Sequence, residues 1–139
     1  MNTKLWIRHL TIILLIIVMI FSESYFIKYV QNNYVGGFIP YVIITLFNIG
    51  IGLILGLEKF IQELKKEGSW KIDLSKIILM GIPSLYFSFG FFIAYNQYLT
   101  IISYPIKILF NTNTYFMNIF QVILGFFIIT SFYKFQSNI

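Results

Sequence analysis

Long apolar runs alternate with short connections along this chain, and only one of those connections is strongly charged. The apolar runs extend from about Leu5 to Ile27, from Phe38 to Leu57, from Ile77 to Tyr95 and from about Phe116 to Tyr133. Each is near the roughly 20 residues that an α-helix needs to cross the hydrocarbon of a bilayer. Lipid offers no hydrogen-bond partner to a free peptide group, so a crossing segment is either helical or part of a closed barrel. Continuous stretches such as LTIILLIIVMIF lack the strict alternation of a barrel strand. The pattern predicts an all-α membrane protein with four transmembrane helices near 5–27, 38–57, 77–95 and 116–133, forming a single integral membrane domain over residues 1–139.

The connections give the orientation. Lys59, Lys65, Lys66, Lys71 and Lys76 all lie between the second and third runs, Lys4 and Arg8 precede the first, and Lys134 follows the fourth. The other two connections hold only Glu23 with Lys28, and Lys107. Basic residues in short loops stay on the cytoplasmic side. Two helical hairpins joined by a cytoplasmic loop at 58–76 follow, with both termini cytoplasmic and residues 24–37 and 96–115 facing out. Anionic headgroups at the cytoplasmic face are the expected lipid partners of the basic loop.

Within that loop, Leu57, Phe60, Ile61 and Leu64 keep helical spacing and extend the second helix, with Gly68 as its stop. Asp73 or Ser75 is placed to cap the third helix. Trp6 and Trp70 are expected as anchors at the inner interface. Tyr25, Phe26, Tyr29, Tyr34, Tyr95, Tyr98 and Tyr104 are expected to form an outer aromatic belt. The stretch 99–110 is apolar but short and contains Pro105, which argues against a continuous helix there. It is predicted to lie along the outer interface or to dip in and return. At the N-terminus, basic, apolar and small residues follow one another as in a signal peptide. Glu23 at the small-residue site and the aromatics Tyr25 and Phe26 beyond it favour a retained helix.

Composition sharpens the class. Of the 139 residues 58% are hydrophobic and 11% charged, with a mean hydropathy of +0.82, against about a quarter charged in soluble domains. With no cysteine there is no disulfide or thiolate metal site. The net charge of +5 fits membrane orientation better than nucleic acid, because the basic cluster is diluted by Glu58, Glu63, Glu67 and Asp73. Heavy use of Ile, Phe, Asn, Lys and Tyr, with one arginine and one alanine, is the usage of an AT-rich, bacterial genome. The expected location is therefore a bacterial cell membrane.

Polar and small residues inside the apolar runs are the candidate functional positions. Thr45, Asn48, Gly52 and Gly56 recur at spacings of three and four in the second run. Gly81, Ser84 and Ser88 do so in the third, where Pro83 should kink the helix, and Asn118, Gln121 and Gly125 share a side of the fourth. Small residues let helices approach closely, and amides and hydroxyls act as interhelical glue. The expected role is packing; the alternative is a narrow hydrophilic path past Asn48, Ser84, Ser88 and Gln121. Glu23 and Glu58 lie near the ends of their runs, so no ionisable residue is expected at mid-depth.

TLFNIGIGLILG, residues 45–56, resembles in part the second helix of small fluoride channels. The likeness covers that helix alone, its spacing differs, and PSLYFSFGFF stands where a threonine-rich break belongs in the third. Small multidrug exporters carry an acid in their first helix, and Thr11 to Phe21 holds none. Catalysis lacks its parts: His9 is the only histidine, no cluster has metal spacing, and no serine has a nearby base. The reading is a non-enzymatic accessory or structural subunit of a membrane complex, needing no cofactor, with lipid and other membrane proteins or further copies of itself as partners. A small oligomeric channel or transporter component is the competing class.

Overall fold

The computed structural model describes residues 3–112 and 115–135, and side chains only from Trp6 onward, so the Lys4 side chain lies outside it. Among the described residues the regular structure is helical apart from one short ribbon. Helix α1 spans Thr3–Asn32 and α2 spans Ile39–Leu64. Strand β1 covers Ser69–Ile72, followed by α3 (Leu74–Lys76), a π-helical turn at Ile77–Gly81, α4 (Ile82–Ser88) and α5 (Gly90–Tyr95). A 3₁₀ turn at Gln97–Leu99 leads into α6 (Thr100–Thr112), then α7 (Tyr115–Thr130) and strand β2 (Phe132–Phe135). Trp6–Asn32 and α2 are the two helices long and apolar enough to cross a membrane; α6 and α7, bent by 116° against each other, would make a third if they form one broken span.

Local chemistry explains the boundaries. Pro40 sits in the first turn of α2, where its missing N–H loses no helical bond. Gly37, at φ +101°, turns the chain out of the α1–α2 connection, a backbone conformation that glycine adopts without penalty. Helix α2 ends at Leu64, earlier than Gly68; that glycine, at φ +134°, instead swings the chain into β1. The Asp73 side chain caps α3 by accepting from the Lys76 backbone N–H at 3.1 Å. Pro83 has no N–H to offer Leu79, and the turn before it widens into the π-helical register. A second break falls at Phe89 between α4 and α5.

The stretch 99–110 is helical after all. Pro105 removes only the bond to Ile101, whose residue is 90% exposed, and α6 runs on through it. Its fully buried Ser103 and Ile106 turn inward, and the Tyr86 hydroxyl of α4 donates to the Ile102 carbonyl. A Cβ added to Gly90 would meet Ile106 at 3.2 Å and Met117 Sδ at 3.3 Å, so α5, α6 and α7 converge there.

The core is the crossing of α2 and α7, which run in the same direction. A Cβ on Gly52 would fall on the Val122 carbonyl oxygen and lie 2.8 Å from the Phe126 nitrogen. A Cβ on Gly125 would fall on the Ile49 carbonyl oxygen, and one on Gly56 on Ile129 Cγ2. Backbone thus touches backbone, the geometry small residues permit. Helix α1 runs against α2 in the opposite direction, through Arg8 with Glu58 and Glu23 with Asn48. Most of its apolar face, from Trp6 to Phe21, stays exposed. Helix α4 lies antiparallel on α7, with Ser88 at Gln121 and Lys76 at Thr130.

This crossing makes a sharp prediction. Gly52→Ala should lower stability by about 1–3 kcal/mol or more, because the methyl has backbone rather than a yielding side chain before it. Gly81→Ala, which meets nothing closer than 3.6 Å, should be neutral or gain up to about 1 kcal/mol of helix propensity. Thermal unfolding of the two variants in detergent, followed by circular dichroism, makes the comparison.

Candidate functional site

The polar residues of the apolar runs meet at two levels of the bundle. At the first, Gln121 of α7 reaches both neighbours: its Nε2 donates to Thr45 Oγ1 of α2 and to the Ser88 carbonyl of α4, each at 3.0 Å. Gln121 and Thr45 are 5% exposed and Ser88 2%. At the second, Asn48 Nδ2 donates to Glu23 Oε1 of α1 at 3.0 Å and to the Ile44 carbonyl at 3.1 Å. Glu23 therefore turns against α2 instead of reaching out to the boundary. Ser84 is buried and donates to the Met80 carbonyl within its own helix.

Glycines and amides alternate along α2 so that both faces are used. Gly52, Gly56 and Thr45 face α7, with Gly125 answering from α7, whereas Asn48 faces α1. Gly81 is half-buried, and a Cβ there would meet only Ile77 of its own turn. Asn118 is half-buried and borders a cavity of about 220 Å³ with Thr45, Ser88, Gln121 and the aromatics Tyr41, Phe91, Phe92 and Tyr115. Gln121 Oε1 and Ser88 Oγ are buried and have no hydrogen-bond partner among the described residues. Asn48 does not border this cavity, and Ser84 borders a different, apolar groove.

The charged loop is a folded pole. Strands β1 and β2 pair antiparallel from Ser69 with Phe135 to Ile72 with Phe132, and the Asp73 N–H donates to the Ser131 carbonyl at 2.9 Å. Glu63, buried at the end of α2, accepts from Lys66 Nζ at 2.6 Å and from the Lys134 backbone N–H at 3.1 Å. Lys134 Nζ in turn donates to the Leu64 and Lys66 carbonyls at 3.1 and 2.7 Å, closing carbonyls at the end of α2. Trp70 stacks on Phe60, ring centroids 5.6 Å apart, and Lys134 lies 5.4 Å over its ring. Lys71 sits 3.7 Å over Phe135. Across the pole Glu58 receives Arg8 at 2.7 Å and stands 3.3 Å from His9.

Lys76 is the half-buried lysine of the five; Lys59, Lys65, Lys66 and Lys71 are exposed. Its Nζ donates to the Thr130 carbonyl and hydroxyl at 3.2 Å each and lies 5.5 Å over Phe127. Burial, and then the like charge of Lys59 beside it, push its pKa below the ordinary lysine value, while Asp73 acts in the opposite sense. Trp70 is stacked and Trp6 stands exposed on α1.

The ribbon and the Glu63 clasp are absent from the sequence reading. Their signals are weak: apolar Trp70, Ile72 and Leu74 alternate with Lys71 and Asp73, and FYKF is rich in strand-favouring aromatics. Among the described residues no group of His, Cys, Asp and Glu could hold a metal ion. No protein-family model matches the chain, and neither a curated protein nor a solved structure matches it significantly.

Glu63→Ala should free the Lys134 N–H and open the ribbon at its centre. Hydrogen exchange at Lys134 should accelerate, and the bundle should lose about 1.5–3 kcal/mol, the range for hydrogen bonds to a charged group.

Proposed function

We propose that the chain crosses a bacterial cell membrane four times, with both termini and the 58–76 loop in the cytoplasm, and serves as a non-enzymatic accessory or structural subunit of a membrane complex. The observation that carries the structural role is the use made of the buried polar groups. Gln121 binds Thr45 and Ser88, and Asn48 binds Glu23, so these groups join helices. The folded pole, with Lys65, Lys66 and Lys71 exposed around a fixed ribbon, supports a partner-facing role.

Two features support the four crossings. The helical run from Ile77 to Tyr95, interrupted at Phe89, holds close to the roughly 20 residues that a crossing needs. Arg8, the 58–76 loop and β2 all gather at one pole, which carries most of the basic charge. Lysine-rich short loops favour the cytoplasmic side.

A channel or transporter component is the second reading, and the cavity beside Ser88 and Gln121, with its two unpartnered oxygens, favours it. Against it stand the engagement of Asn48 with Glu23 and the separate position of Ser84.

The two readings separate experimentally. A photo-crosslinking residue at Lys71, on the exposed face of β1, should capture one recurrent membrane partner in native membranes. Purified protein in liposomes should pass ions and small solutes no faster than empty liposomes. A flux that disappears in the Asn48→Leu/Gln121→Leu variant, with its fold intact, would replace the subunit reading by the channel. Lys66→Cys, in a chain with no other cysteine, should resist an impermeant maleimide in intact cells while Tyr98→Cys reacts; the reverse would invert the topology.

A further inference from the structure

An open groove of about 540 Å³ runs between α2, the π turn with α4, and α7. Leu55, Leu79, Met80, Pro83, Phe126 and Phe127 are among its walls, and its lining is almost wholly apolar. Three elements agree on where it ends. Lys59 lies one turn beyond Leu55 on α2, and Lys76 one turn before Leu79 and Met80. Thr130, which holds Lys76, lies one turn beyond Phe126 and Phe127 on α7. The groove thus ends one helical turn from each of two lysines, whose like charges act on each other.

Their charge is only partly answered within the described residues. Neither Lys59 nor Lys76 forms an ion pair there. Asp73 is the carboxylate that acts on Lys76, and it is already engaged in capping α3. Glu58, next to Lys59 in sequence, is paired with Arg8, and Glu63, which feels the charge of Lys59, is bonded to Lys66 and to the Lys134 N–H. Two ammonium groups at the boundary of an apolar region call for an anion that itself continues into an apolar tail.

We propose that this groove binds an anionic phospholipid, one acyl chain lying along Leu55, Met80 and Phe127 and the phosphate held between Lys59 and Lys76. A neutral lipid would fill the same groove without answering the lysines. A soluble anion would answer the lysines without filling the groove. Only the combination uses both halves of the site. The proposal requires the groove to lie in a bilayer but is independent of which side the pole faces and of any partner subunit.

The test is made on the full chain in a neutral maltoside detergent. Phosphatidylglycerol should raise the unfolding temperature by several degrees and appear as one retained lipid in native mass spectrometry. Phosphatidylcholine with the same chains, and inorganic phosphate at the same concentration, should do neither. Lys59→Gln/Lys76→Gln should raise the half-saturating phosphatidylglycerol concentration at least tenfold, and Leu55→Trp, which fills the groove, should do the same. Lys65→Gln should leave it unchanged. Should the double variant fail to fold, Lys59→Gln alone, at an exposed position, should still shift saturation about threefold. An equal response to phosphatidylcholine, a full response to inorganic phosphate, or an equal loss in Lys65→Gln would overturn the proposal.

Discussion

The direct contact of two backbones, at Gly52 on α2 and Gly125 on α7, is the constraint from which the remaining structure takes its place. Between helices in lipid there is little hydrophobic drive, since acyl chains are as apolar as leucine, and association rests on close packing and a few hydrogen bonds. Once α2 and α7 are seated, α1 lies on the free side of α2 and α4 on the free side of α7. The pole is then determined as well, because β2 leaves α7 at Thr130 and reaches α2 at Glu63.

The polar side chains complete this arrangement. Gln121 joins three helices with one amide, and Asn48 ties α1 to α2 through Glu23. Each such bond is worth only about 0.6 kcal/mol on average in a membrane, so their larger effect is on register. A helix slid by one turn would leave an amide or a carboxylate facing hydrocarbon, at several times that cost. Outside the apolar region charge plays the corresponding part. The Glu63 carboxylate with the Lys134 backbone N–H, and Lys134 Nζ with the Leu64 and Lys66 carbonyls, join segments some seventy residues apart.

Much of the helical framework is legible in the sequence, because length and hydropathy are decisive for long apolar segments. The runs 5–27 and 38–57 read as helices, and α1 and α2 are both longer than those runs, since Tyr29 and Phe60 continue the apolar face past their ends. The spacing of Gly52 and Gly56 marks a face for close approach but cannot say which helix fills it. The third run reads as one helix, whereas Pro83 and Phe89 divide it, and a proline fixes the place of a break without fixing its form. Pro105 misleads in the other direction: it lies inside α6, and the one bond it loses is to the carbonyl of Ile101, an exposed residue. The ribbon escapes entirely. Four-residue strands carry little periodicity, and Phe132 to Phe135 merges into the apolar run of α7.

The parallel seating of α2 against α7 has a consequence for how the molecule is made. Some seventy residues separate Gly52 from Gly125, so at about 5–20 residues per second a ribosome emits the first roughly 4–15 s before the second. During that interval the glycine side of α2 lacks the backbone that later fills its notches, and Glu63 waits without the N–H that later clasps it. The first half of the nascent chain is thus a provisional hairpin, and the late arrival of α7 and β2 converts it into a committed fold.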